Sequence, residues 1–490
     1  MSADSVPFDP DQFTAFRFAS KEVTWTDNAV VVTFGYALDT TSERSTVVCE
    51  ERFEFPLSNG LASLTALARD GFERLTNHLG LVAALSYYKL AAPKRFVVGV
   101  GHWTAEQIQA HAEILQHGLG EYFFVNQLDP DHCPEYGFES PGRLIREPAV
   151  AVDLRAVAAG TGAVAAGTGV AVAGTNGPLR PLVPVGGGKD SCVTIEALRN
   201  AGLEPTLITV NRYPVISEVI DVADLADVAV RRILDPQLRS FNERGARNGH
   251  VPATAIVSLA VCCAAVLGAH DTVVMSNERS ASEGNVTYRA VEINHQWSKS
   301  LEAENILRSL LRSEVVGLDY FSLLRPWSEL SIARSFGSTC DRYFDSFSSC
   351  NAAFRLDPSR RVSRWCGHCP KCQFVYLALA TALPHEILER IWDAELFSSS
   401  PVEGFRALLG LTEWKPFECV GESGECRVAL AMLVLDAHWS QHPTLSALAA
   451  EVKTAGRWPT AAEHTAVFGF DERHNISPSY EPTVRLGISG

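Results

Sequence analysis

The stretch Pro184-Val185-Gly186-Gly187-Gly188-Lys189-Asp190-Ser191 decides how the chain is read. Residues 182–185 make a short apolar run suited to a buried strand, three glycines follow, and Asp190 or Ser191 can cap a helix running to Asn200, with Gly202 as its stop. Consecutive glycines let backbone approach an anion closely, their N–H groups can form a nest, and the helix start adds a positive dipole end. Phosphate is the natural guest of such a loop. A Walker A loop would need Gly where Val183 stands and Ser or Thr where Asp190 stands, so a kinase or GTPase is disfavoured.

Outward from this loop, strands and helices alternate. Residues 182–185, 206–210, 228–233 and 272–275 read as strands, and residues 191–200, 216–225 and 253–267 as helices. That alternation predicts a parallel, doubly wound sheet whose ligand lies at the carboxyl ends of its strands. The loops expected there are polar: Asn211-Arg212-Tyr213 after the second strand and residues 276–285 after the fourth. Tyr288 and the proton-exchanging segment Glu292-Ile293-Asn294-His295-Gln296-Trp297-Ser298-Lys299-Ser300 follow. Residues 320–324 read as a further strand, and Ser328 as the N-cap of a helix to Phe336.

Upstream, residues 29–38 and 46–55 are β-rich runs joined by the polar stretch 39–43, a small hairpin sheet. Residues 61–90 carry helical apolar spacing, 96–100 a strand and 105–117 another helix, so residues 1–150 are expected to form an α+β unit. Tyr87 and Tyr88 read as core residues, and Lys89 as able to reach an anion. Residues 151–180 contain a twice-repeated Ala-Val-Ala-Ala-Gly-Thr-Gly tract and read as a linker. The catalytic unit is then 181–395 and a mostly helical region 396–490.

Cys366, Cys369 and Cys372 stand at knuckle spacing, and tetrahedral zinc needs a fourth ligand, for which Cys350 is first choice and Cys340 or His368 the alternatives. An iron–sulfur cluster can use the same thiols. Twelve cysteines so arranged suit a reduced protein rather than a disulfide framework. Net charge of −15 opposes a nucleic-acid partner, and the absence of a long uncharged apolar run or an apolar leader predicts a cytoplasmic protein without a membrane span.

Residues 186–191 resemble the Ser-Gly-Gly-x-Asp-Ser signature of PP-loop ATP pyrophosphatases, of adenine nucleotide α-hydrolase-like fold, with Gly186 in place of the usual Ser. A PP-loop followed by a cysteine knuckle also occurs in 7-cyano-7-deazaguanine synthase, an amidating enzyme, but an N-terminal unit of 150 residues is foreign to it. A fuller resemblance is to the UDP-N-acetylmuramoyl-L-alanyl-L-glutamate epimerases. It is carried by Phe8-Asp9-Pro10 with Phe13 and Phe16, Ser86-Tyr87-Tyr88-Lys89, residues 186–191, Asn277-Glu278-Arg279-Ser280, residues 294–300, Leu324-Arg325-Pro326 with Ser328-Glu329-Leu330, residues 365–372 and Lys415-Pro416-Phe417-Glu418-Cys419-Val420-Gly421. The resemblance implies ATP- and Mg²⁺-dependent inversion of the terminal glutamate of a UDP-muramyl dipeptide. It implies further that Gly186, Gly187, Gly188, Lys189, Ser191 and Asn211 hold the nucleotide and Asp190 holds Mg²⁺. His295, Lys299, Glu278 and Tyr288 are the candidates for proton transfer, since each can be tuned towards neutral pKa by burial.

Overall fold

The computed structural model describes residues 7–40, 46–155, 178–355 and 357–487. The repeated tract and most of the stretch expected to turn the first hairpin lie outside the described residues. Ten strands make one mixed sheet, β1 (Phe13–Trp25), β2 (Ala29–Thr40), β3 (Thr46–Pro56), β4 (Arg95–Val98), β5 (Glu135–Phe138), β6 (Pro181–Pro184), β7 (Thr206–Val210), β8 (Asp227–Ile233), β9 (Thr272–Met275) and β10 (Asp319–Ser322). Their spatial order is β10-β9-β6-β7-β8-β3-β2-β1-β4-β5. The five strands from β10 to β8 are parallel, as the alternating pattern predicts.

Those strands alternate cleanly between two cores because successive side chains leave a strand on opposite faces. Leu182, Ile208, Val273 and Tyr320 enter one buried cluster, whereas Val183, Leu207, Val274 and Phe321 enter the other. Helix α3 (Lys189–Asn200) covers the second face, together with α4 (Pro214–Ala223). Helices α5 (Ala253–Leu267) and α6 (Leu301–Glu314) cover the first, with α1 (Ala66–Ala83) and α2 (Ala105–Gly118) packed beside them. A strand pair buried on both faces needs near-continuous apolar sequence, which is why these segments read so clearly.

The N-terminal sheet differs from the small hairpin expected. Residues 13–25 supply a long strand that the sequence reading missed, and β3 joins β8 in antiparallel register, Arg232 opposite Phe53. Register shifts between Phe13 and Ala15 and between Phe18 and Ser20 interrupt the alternation of β1, which hides its period. At the seam, Glu51 and Arg232 form a buried ion pair, and Arg232 also donates to Ser86 Oγ at 2.8 Å. Tyr87 and Tyr88 are core residues as expected, and Tyr87 accepts from the Asp235 backbone. Lys89 donates to Asn248 Oδ1 and Gly249 O, tying the same segment to the loop before α5.

Helices α7 (Glu329–Thr339) and α8 (Pro370–Ala380) lead into a helical C-terminal region that packs on the second core. Ser328 caps α7 by accepting from the Ser331 N–H, as read from sequence. No helix among the described residues is long and apolar enough to cross a membrane.

Candidate functional site

Strands β6 and β9 are neighbours, but their following helices lie on opposite faces of the sheet, so a crevice opens beyond their carboxyl ends. Gly186–Gly188 forms its floor. Gly187 has φ +82°, where a side chain would be strained and would crowd Val215 and Ile216. A Cβ on Gly186 would meet nothing within 4 Å, so free space lies beside the loop.

The expected cap does not form. Gly188 occupies the N-cap of α3 and no side chain caps the terminus. Asp190 is instead drawn to Lys189, and the Ser191 hydroxyl donates back to Gly188 O at 2.9 Å. First-turn N–H groups are thereby left for an anion. Ser276 Oγ, just beyond β9, is likewise buried without a hydrogen-bond partner.

Lys189 is buried, and its ammonium lies between the carboxylates of Asp190 and Glu329. Asp190, Glu278 and Glu329 bring ligand oxygens within 4.8 Å of one another. Burial opposes ionisation of Asp190, but Lys189, Lys371 and Lys299 outweigh it and hold its pKa below the usual value. Burial raises Glu329, with Asp190 and Glu278 adding repulsion against the pull of Lys189. Three converging carboxylates suit a hard divalent cation such as Mg²⁺, which is commonly held by one or two carboxylates together with substrate phosphates. Glu329 was quoted from sequence only within the segment Ser328-Glu329-Leu330 and was given no role. It stands first in α7, where an acidic residue ordinarily reads as helix-end electrostatics.

Arg325 braces the crevice from below. Its guanidinium donates to Glu278 O at 2.7 Å, Lys299 O at 2.6 Å and Glu304 Oε2 at 3.1 Å, so it fixes the two loops that carry Glu278 and Lys299.

Beside the carboxylates lies a second cluster. His295 Nδ1 is bonded to Glu121, and the imidazole lies beside the Cys419 thiol. The Lys299 ammonium lies beside the same sulfur. Burial disfavours the charged forms of all three. The Lys299 and His295 charges nevertheless pull Cys419 down to about 6, while Cys419 and Glu121 raise His295 to about 9. Lys299 is raised too, burial being outweighed by Cys419, Glu278 and Asp190. His250 packs at a tilt against His295 with ring centroids 4.3 Å apart and is held neutral by burial and by His295, with a pKa of about 3.

Cys419 is placed by a strap. Lys415 pairs with Glu283 at 2.6 Å, Asn285 donates to Pro416 O at 2.8 Å and Gln296 to Val420 O at 3.1 Å. Glu418 accepts from the Lys371 backbone at 3.0 Å. Sequence reading quoted this segment without giving Cys419 a role, because nothing near it in the chain signals a partner. Glu121 and His250 carried no signal either.

Two expected site residues stand differently. Asn211 spends both ends of its amide on the Arg232 backbone, closing β7 against β8. Tyr288 packs its ring edge-to-face on Phe124, which also contacts Phe417. Among the described residues neither forms a hydrogen bond with Asp190, Glu278 or Glu329.

The thiols of Cys350, Cys366, Cys369 and Cys372 converge, with sulfur separations of 4.0 Å (350–369), 3.7 Å (366–372) and 3.5 Å (369–372). A tetrahedron of Zn–S bonds has edges of about 3.8 Å, so the set can bind zinc. Cys340 lies elsewhere, against Thr339, and His368 turns to Cys366 O. Cys369 also caps α8, and the same turn aims Lys371 towards Asp190.

Fold and site together define an α/β enzyme with an anion-ready loop and a cluster of titratable groups beside it. Residues 7–323 match the MurL N-terminal domain and residues 346–463 the MurL C-terminal domain. Three relatives carry the name UDP-N-acetyl-alpha-D-muramoyl-L-alanyl-L-glutamate epimerase. A Micromonospora protein is 44% identical over 83% of this chain and 85% of its own length, and one from Salinispora tropica 41% over 84% and 82%. One from Xanthomonas oryzae pv. oryzae is 36% identical over 98% of this chain and 99% of its own. The chain belongs to the MurL epimerase family.

Proposed function

We propose that this enzyme inverts the terminal L-glutamate of UDP-N-acetylmuramoyl-L-Ala-L-Glu at the expense of ATP, in the cytoplasm, within a PP-loop type domain. The observation that carries the reading is the meeting of an uncapped glycine loop, a trio of carboxylates and a thiol–imidazole cluster in one crevice.

The chemistry explains why an isomerase needs ATP. Removing the Cα proton beside an ionised carboxylate would set a carbanion against an existing negative charge. Converting that carboxylate to an acyl-adenylate, with release of diphosphate, lets the electron pair enter a neutral carbonyl as an enolate that nearby cations stabilise. Reprotonation from the other face gives D-glutamate, and hydrolysis then frees AMP.

In this reading Gly186, Gly187, Gly188 and the first turn of α3 receive phosphate, and Lys189 neutralises it. Asp190, with Glu278 and Glu329, would hold Mg²⁺, whose chemistry is to screen phosphate charge. Glu278 is thus better suited to the cation than to proton transfer. Zinc at the four cysteines would be structural, since all four positions are filled by protein thiolates.

The direct test is incubation with that dipeptide and ATP, with chiral analysis of the glutamate and assay of AMP and diphosphate. D-Glutamate is expected with AMP and diphosphate formed together. Asp190→Asn is expected to stop diphosphate release while leaving the melting temperature near that of wild type; release at wild-type rate would defeat the assignment.

A further inference from the structure

Glu121 comes from the N-terminal unit, His295 and Lys299 from the segment after β9, and Cys419 from the C-terminal strap; Glu121 is bonded to His295, and the Cys419 thiol lies beside that imidazole and the Lys299 ammonium. A carboxylate orienting an imidazole that is in turn bonded to a thiol is the arrangement that activates a thiolate. Resting on the reading that the glutamyl carboxylate is first adenylated, we infer that Cys419 is the catalytic residue that takes up or returns the glutamyl α-proton, with His295 and Glu121 as its positioning residues.

The other titratable groups of the crevice are less suited. Lys299 and His295 are both held protonated by their neighbours, so neither offers a free lone pair near neutral pH. Glu278 lies with Asp190 and Glu329 and faces the lysines. His250 is neutral, but it faces the His295 ring, and charging it there is opposed by His295, Lys89 and Lys299. Cys419 alone combines a depressed pKa of about 6 with an adjacent store of positive charge.

The step balances without a redox partner. The thiolate sulfur takes the α-proton, the C–H electron pair moves onto the acyl oxygen beside Lys299, and a proton is returned to the opposite face of Cα from a solvent-exchanged donor. The thiol later gives its proton back to solvent.

The test uses the full-length protein, ATP, Mg²⁺ and the muramyl dipeptide in D₂O, reading diphosphate release and deuterium at the glutamyl α-carbon. Cys419→Ser and Cys419→Ala are expected to stay folded, with a melting temperature lowered by no more than a few degrees, and to release diphosphate, with deuterium incorporation reduced by about 10²–10⁴-fold. Retained incorporation overturns the inference. So does loss of diphosphate release in step with exchange, which would assign Cys419 to activation. Wild type that makes no adenylate defeats the function proposed above, and the inference with it, whereas wild-type success with an unaffected variant defeats the inference alone. Iodoacetamide labelling of Cys419 is expected to titrate near pH 6 and to shift upward in His295→Gln; an unshifted, ordinary thiol midpoint overturns the positioning role. A second bound metal per chain that disappears in His250→Ala would reassign Glu121, His250 and His295, whose ligand atoms also lie within 4.8 Å, as a metal site and overturn the inference.

Discussion

Cys419 and His295 hold each other's protonation states, and the pair should leave a signature on stability. His295 is raised from 6.5 to about 9, so its contribution is fully present below pH 6.5 and is lost as pH rises through 9. Cys419 is lowered from 9.0 to about 6, so its contribution is present above pH 9 and is lost as pH falls through 6. The two overlap as a thiolate–imidazolium pair between these limits. Denaturant unfolding is therefore expected to show wild type gaining over Cys419→Ser on the order of 1–2 kcal/mol near pH 7.5, with the advantage shrinking on both sides. An advantage that kept growing above about pH 9 would contradict the pairing. At the loop, Gly187→Ala is expected to cost about 1–2 kcal/mol through its left-handed backbone alone and to weaken ATP binding in calorimetry.

Among the elements, α8 joins the cysteine cluster to the crevice. Because Cys369 both caps α8 and belongs to the thiol set, and Lys371 lies between Cys369 and Cys372, metal at the thiols would order a helix end that reaches Asp190. About one zinc per chain is expected by elemental analysis, and Cys366→Ser or Cys369→Ser should lower the melting temperature and solubility, since metal binding contributes folding free energy. Fully active protein free of zinc and iron would refute this. Arg325 does comparable work between loops. Arg325→Leu leaves Glu304 buried without its cation, and a loss of about 3–5 kcal/mol in urea unfolding is expected.

For the whole molecule, the continuity of the sheet sets the unit of folding. β8 pairs with β3, and the first core runs from Phe8 to Tyr320, so the N-terminal strands cover an edge and a face that the central strands would otherwise expose. Glu51→Gln, by stranding Arg232 at the seam, is expected to cost about 3–5 kcal/mol, and the double variant with Arg232→Met to recover part of that loss. Unfolding monitored by tryptophan fluorescence and by circular dichroism should remain a single transition. Separate transitions would mean that the seam couples the two halves weakly.

Local sequence sufficed where one segment carries its whole meaning. The glycine loop, the apolar strands β6 to β10, the Ser328 cap and the thiols at 366, 369 and 372 were legible because backbone geometry, period and ligand spacing act within a few residues. The resemblance to MurL epimerases lay in the same short segments. What required tertiary structure was every contact made across the chain. The long N-terminal strand hid because two register shifts break its alternation, and the place of Glu329 in the carboxylate trio was invisible because Asp190 and Glu278 are far from it in sequence. Glu121, His295 and Cys419 are separated by more than a hundred residues at each step, and none has a partner nearby in the chain. A charge is tuned by what lies within a few ångströms in space. Only folding sets those neighbours, so the sequence could name a glycine loop and a cysteine knuckle but not the thiol–imidazole cluster.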